Sequence, residues 1–345
     1  MSRRYSALAV ASTMAMAAVS AQNRPSAYPG ASWQRVDASS LGWSTTKLTE
    51  ARRYFETLAE GSALVVEHGR VVAEWGDPAR RVKLSSVRKS FLSALYGIHV
   101  RAGRLDLTKT LADVGIDDVP ALTAQERSAP LRTVLQSRSG IYHAYVGGLV
   151  EDRAAMPPRG SHPPGTFWYY NNWDFNVLGT VFEQQLGVKI ATEFRTRIAV
   201  PIEMQDFRLE DMHYFGGTEK SAAIEQSIHP AYHFSMTARD MARFGYLFLR
   251  RGTWNDRQVI PADWVAESTT SYSDTGTGGG YGYLWWVNQF PGVPLPTTVR
   301  MARSASTSSS CQAAIWWWCT RITPSIPTML RRTLVNNCSA FRVCQ

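Results

Sequence analysis

Between Lys83 and Leu107 the chain reads KLSSVRKSFLSALYGIHVRAGRLDL, with Ser86 and Lys89 three residues apart where a loop turns into an apolar helix. One helical turn puts both side chains on one face, within reach of a shared hydrogen bond. At an interior helix N-terminus the backbone N–H groups and the helix dipole favour developing negative charge. A desolvated lysine can give up its proton and act as a base. These are the parts of a nucleophilic acyl-transfer site. They also suit a helix cap beside a surface charge, and the pattern alone leaves both readings open. A second copy, Ser44-Thr45-Thr46-Lys47, opens the polar, charged stretch TTKLTEARRYFETL and is expected to be an N-cap.

A phenol and an amide join the first pair from PPGTFWYYNNWDFNVLGTVFE. Trp168, Tyr169, Trp173 and Phe175 read as a packed aromatic cluster. Tyr170 and Asn172 add groups with chemistry, because a tyrosine near a lysine can be held partly as phenolate and serve as general base, then general acid.

The elements that must position these residues follow from the pattern. GSALVVEHGRVVAEWGD (61–77) is two β-rich runs, 63–67 and 71–75, around a turn with Gly69, a hairpin signal. After Ser86 the apolar residues recur at helical spacing, predicting a helix from about 86 to 102 that Gly103 ends. Residues 104–250 alternate short helices with Pro/Gly loops, the clearest helices being 176–187 and 237–252. YGYLWWVNQ (281–289) returns to strand character. Strand signal at both ends with helices between predicts an α+β fold: an antiparallel sheet built from both ends of the chain (about 60–85 and 280–296), flanked by helices, with an inserted helical region over about 104–250.

The 345 residues carry a formal charge of +9. Arg3 and Arg4 lie at the start, and Arg300, Arg303, Arg321, Arg331, Arg332 and Arg342 lie in a final stretch without acidic residues. The stretch between is nearly neutral, with no basic stripe to bind nucleic acid. MSRRY, the short apolar run SALAVASTMAMAAV and Val19-Ser20-Ala21 predict an export signal over 1–21, with cleavage after Ala21 and a periplasmic or secreted product. No other segment is long and apolar enough to span a membrane. None of the seven histidines is read as a metal ligand or a triad base, and no metal or organic cofactor is expected. His143 and His162 read as surface or loop residues.

Taken together, S-x-x-K opening a helix and Y-x-N some 80 residues later with FNVLG behind it resemble the serine β-lactamase and DD-peptidase superfamily. LVVEHGRVVAEW, SMTARDMARFGYLFLRRGTWNDRQVIPADWV and GYGYLWWVN fit its class C-like branch in order, with its esterases and 6-aminohexanoate-dimer hydrolases. The resemblance covers roughly 45 to 290. It implies that Ser86 attacks a carbonyl, that Lys89 and Tyr170 manage the proton, and that Asn172 positions substrate or Lys89. Water then releases the acyl group. The oxyanion would be held by the backbone N–H of Ser86 and one from a neighbouring strand. The implied substrate is a small ester, linear amide or β-lactam. The rival reading is a non-catalytic relative: a truncated, inactive homologue or a penicillin-recognising module.

The chain departs from that family after about 296. A third motif of the K-T-G or H-x-G kind is expected on the next strand, yet residues 297–345 show none, and Cys311, Cys319, Cys338 and Cys344 all fall there. Ile315-Trp316-Trp317-Trp318-Cys319-Thr320, read from the third base of each codon, encodes Leu or Met, then Val-Val-Val, then His or Tyr. That is a buried strand like the family's last. Residues 22–296 are therefore expected to be the hydrolase domain, and 297–345 an aberrant tail produced by a frameshift.

Overall fold

The computed structural model describes residues 27–57, 60–147, 153–216, 227–276 and 279–288, and two short strands beyond them, Thr297–Thr298 and Gln312–Ala313. The expected signal segment lies outside these residues, as does most of the expected aberrant tail. No helix among the described residues is long and apolar enough to cross a membrane.

Helix α1 (Thr45–Glu56) leads into an antiparallel hairpin, β1 (Glu60–Glu67) and β2 (Arg70–Gly76). His68 and Gly69 form its turn with φ of 47° and 79°, the double left-handed pair that matches the twist of paired strands. Gly69 is required twice over, since a Cβ there would lie 1.7 Å from the Ala27 carbonyl oxygen. Strand β3 (Val82–Leu84) follows, then α2 (Arg88–Arg101). The helical region supplies α3 (Ala124–Arg127), α4 (Leu131–Leu135), α5 (Asn172–Leu186) and α6 (Ile190–Phe194). Strands β4 (Met212–Phe215) and β5 (Ala231–Met236) precede α7 (Ala238–Leu249). The short hairpin β6 (Thr253–Trp254) and β7 (Arg257–Gln258) leads to α8 (Ala262–Ser268). The last strands are β8 (Ser273–Asp274), β9 (Gly279–Tyr281), β10 (Trp286–Asn288), β11 (Thr297–Thr298) and β12 (Gln312–Ala313).

The fold is α+β, with mixed helices and antiparallel pairings. The sheets are ordered β12-β1-β2, β11-β10-β9-β8, β3-β5-β4 and β6-β7. The hairpin thus takes a neighbour from the far end of the chain, but the two-residue β1–β12 contact is parallel, Glu60 opposite Gln312 and Gly61 opposite Ala313. Strands β8, β9, β10 and β11 form a sheet of their own. The run 281–289, expected to have strand character, holds the end of β9 and all of β10 with a turn between them, and its last residue lies outside the described residues. Gly282 N–H donates to the Trp285 carbonyl at 2.8 Å and Leu284 takes φ 62°, folding Tyr281 back opposite Trp286.

Helix α2 is the hub. Phe91, Leu92, Ala94, Leu95 and Tyr96 are all fully buried, the mark of a helix apolar on every side and placed inside the protein. Phe91 meets Phe244, Phe194 and Phe234 at ring separations of 4.6, 5.0 and 5.3 Å. Deleting such a ring typically costs about 3–5 kcal/mol. At Gly97 a Cβ would sit 2.2 Å from the Trp264 ring, so α8 approaches α2 as closely as it does only because that position lacks a side chain. This packing fixes the first turn of α2, where Ser86 and Lys89 stand.

Candidate active site

Ser86 follows β3, which is held by β5 with Leu84 opposite Phe234. The helix begins two residues later than its pattern predicts. Val87 occupies the N-cap position in αR geometry without a side-chain cap bond, and Lys89 N–H reaches back to the Ser86 carbonyl at 3.1 Å. The serine hydroxyl is therefore outside the helix's hydrogen-bond ladder and turned to its neighbour. Lys89 Nζ donates to Ser86 Oγ at 2.8 Å and to the Tyr170 hydroxyl at 2.9 Å.

Lys89 is 1% exposed, and its ammonium lies over two ring faces, 4.4 Å from the Phe175 centroid and 4.7 Å from that of Tyr170. Tyr170 lies just ahead of α5, whose N-cap is Asn171; the Asn171 side chain accepts from Trp173 N–H. Asn in front of an apolar helical run is a legible cap signal, and the sequence reading passed over it. Asn172, the first residue of α5, is buried.

The structure thus brings together Ser86, Lys89 and Tyr170, across 81 residues of chain. The hydrogen bonds described at Lys89 run to Ser86 and Tyr170, and Asn172 stands two residues along the chain from the phenol.

The aromatic surroundings sort themselves. Trp173 and Phe175 are core residues. Trp286 packs 5.2 Å from Tyr170, 5.5 Å from Tyr281 and 5.7 Å from Trp168. Trp285, which precedes β10, points the other way and is buried against Phe248 and Phe244. Only the second tryptophan of the pair borders the site.

The histidines stand apart from this chemistry. His143 is a loop residue, buried and bonded to the Pro120 and Ala144 carbonyls. His162 is half-buried and stacks on Phe167 at 4.2 Å. His233 on β5 is pushed down to about 3 by burial, with Arg88 and Lys83 adding to the effect. Among the described residues no group of three or more His, Cys, Asp or Glu side chains is placed to hold a metal. The third-motif strand expected after 296 lies outside the described residues, apart from the two strand fragments.

A protein-family model described as Beta-lactamase matches residues 51–319. Among solved structures, the chain is similar to a protein described as a 6-aminohexanoate-dimer hydrolase from Bacillus anthracis. That match has TM-score 0.55 and 19% identity, covering 81% of this chain and 77% of that one. A penicillin binding protein from Bacillus halodurans matches with TM-score 0.52 and 18% identity over 74% and 86% of the two chains. A beta-lactamase/D-alanine carboxypeptidase from Pseudomonas syringae matches with TM-score 0.51 and 14% identity over 75% and 87%. At these identities the structural matches speak for the fold.

Proposed function

Because the chain belongs to the beta-lactamase family, we propose that it is a serine hydrolase that cleaves an ester or amide bond through an acyl-enzyme on Ser86. The observation that carries this reading is the Lys89 side-chain nitrogen, buried and within hydrogen-bond distance of both Ser86 Oγ and the Tyr170 hydroxyl oxygen. A serine hydroxyl is a weak nucleophile until a neighbour takes its proton, and the nearness of Lys89 and Tyr170 supports giving them that role.

In this reading the Lys89–Tyr170 pair holds one proton fewer than an ammonium beside a phenol, and Ser86 Oγ forms a bond to the substrate carbonyl carbon while its proton passes to that pair. The carbonyl electrons move to oxygen, beside the Ser86 N–H at the foot of α2, where backbone donors and the helix dipole favour the anion. The tetrahedral species collapses, the alcohol or amine leaves, and the pair returns the proton to it. Water then repeats the sequence at the acyl carbon and restores Ser86. Trp286, packed against both Tyr170 and Trp168, makes an apolar aromatic border that suits an apolar or aromatic group on the substrate.

The test is covalent labelling of the full chain with a fluorophosphonate and with a fluorescent penicillin. Labelling that disappears in Ser86→Ala supports the reading, and undiminished labelling of that variant removes Ser86 from the mechanism. A labelling burst without steady hydrolysis would identify an acyl-binding module in place of an enzyme.

A further inference from the structure

The loop that carries Tyr170 is gripped on both sides by a single serine outside the site described so far. Helix α4 ends in a reversal in which Ser137 N–H donates to the Val134 carbonyl at 3.0 Å and Arg138 N–H to the Thr133 carbonyl at 2.8 Å. Ser137 itself has φ 57°. This is a Schellman-type stop, and the residue at its left-handed position is usually glycine. A side chain there costs of order 1–3 kcal/mol, yet the position holds a serine that is 1% exposed.

Its hydroxyl has specific partners. Ser137 Oγ donates to the Tyr169 carbonyl at 2.6 Å and accepts from Asn171 N–H at 3.0 Å. The Ser137 carbonyl accepts from Tyr169 N–H at 3.1 Å. Three bonds therefore hold the residues immediately before and after Tyr170. A second tie secures the far side of the loop: Asn171 Nδ2 donates to the Ile141 carbonyl at 2.7 Å and to Asp174 Oδ1 at 2.8 Å. Ser139 Oγ donates to the same carboxylate oxygen at 2.6 Å.

We propose that Ser137 is a positioning residue: its hydroxyl fixes the Tyr169–Asn171 backbone so that the Tyr170 phenol meets Lys89 Nζ. The inference rests on the reading of Ser86, Lys89 and Tyr170 given above. A residue that merely ends α4 predicts the opposite behaviour on substitution, because glycine satisfies the left-handed turn better than serine does. Ser137→Gly keeps the backbone bonds of the turn and relieves its strain, and it removes the hydroxymethyl side chain that bonds Tyr169 and Asn171.

The experiment is the fluorophosphonate labelling rate of the wild-type chain, Ser137→Gly, Tyr170→Phe and the double variant, each with its thermal midpoint. Misplacement of a catalytic group by about 1 Å can cost on the order of a hundredfold. Ser137→Gly is therefore expected to label 10–100-fold more slowly, on the order of that loss, at an unchanged or raised midpoint. In the Tyr170→Phe background it is expected to add no further slowing, since the hydroxyl acts through the phenol. A wild-type rate in Ser137→Gly, or slowing that multiplies fully in the Tyr170→Phe background, overturns the proposal. If the glycine variant melts lower, Ser137→Ala replaces it under the same criteria. If the wild-type chain takes no label, the hydrolase reading fails. The positioning claim is then judged on the ¹³Cζ resonance of Tyr170, which Ser137→Gly must shift if the hydroxyl holds the ring in place and leaves untouched if it does not.

Discussion

The chain spells Ser-x-x-Lys twice at the start of a helix, and the two copies do different things. At α1, Ser44 is the N-cap: its hydroxyl accepts from the Lys47 backbone N–H at 3.3 Å. No residue of that helix is buried. At α2 the N-cap position is Val87, one residue past Ser86, and the Ser86 hydroxyl accepts from Lys89 Nζ. Every residue from Arg88 to Gly97 is buried there. Spacing is identical in the two places, so spacing does not decide the chemistry. What decides it is whether the lysine is folded under an aromatic roof, as Phe175 and Tyr170 cover Lys89, or lies along an outer helix.

The sharpest way to break this comparison is to neutralise each lysine in turn. Lys89→Met preserves length and suits the buried surroundings, so the fold should survive. Loss of the proton acceptor should lower Ser86 labelling by about 10²–10⁴-fold, the usual range for a positioned acid or base. Lys47→Met should leave the labelling rate where it was. Equal effects from the two substitutions would show that the α2 copy has no privileged role.

The hairpin, the hub helix and the capped α1 were legible because each depends on local signals: alternation about Gly69, helical spacing of apolar residues after Ser86, and Ser44 ahead of a polar run. The joining of Lys89 to Tyr170 across the chain is no local property, and only the resemblance of the joint motifs pointed to it. Two details escaped for physical reasons. The YGYLWWVNQ run has strand character by propensity, but Tyr283 N–H is tied to the Ser268 carbonyl and Leu284 N–H to that of Leu135. Tertiary bonds thus hold Leu284 in a left-handed turn that its side chain disfavours. Ser137 was invisible for the converse reason: the turn calls for glycine, and the serine's partners Tyr169 and Asn171 lie more than thirty residues away.

The contrast between buried and outer sites also has a pH signature. Asp174, at the far tie of the Tyr170 loop, is fully buried; burial pushes its carboxyl well up, against the lowering effect of the Ser139 and Asn171 bonds. As pH rises above the ordinary value of 3.8, the unfolded chain sheds this proton first while the folded one retains it. The folded state then binds more protons, and its stability falls with rising pH through the raised value. Asp174→Asn keeps an acceptor for Ser139 and Asn171 and has no proton to lose. Its stability relative to wild type should therefore improve progressively from acid to neutral pH, read as urea midpoints. Midpoints that differ by a constant at every pH would mean that the carboxyl is ionised in the fold.

The smallest expected effect isolates capping from chemistry. Ser44→Ala removes the acceptor for the Lys47 N–H, and losing an N-cap of this kind costs about 1 kcal/mol. The same change at Ser86 removes the partner of Lys89 Nζ and leaves the N-cap residue, Val87, in place. Ser44→Ala should thus lower the urea midpoint and keep full labelling, and Ser86→Ala should keep the midpoint and lose the label. A Ser86→Ala midpoint that fell as far as that of Ser44→Ala would show Ser86 sharing the structural duty of the first copy. A hydroxyl bound into the helix ladder in that way would be poorly placed to attack a carbonyl.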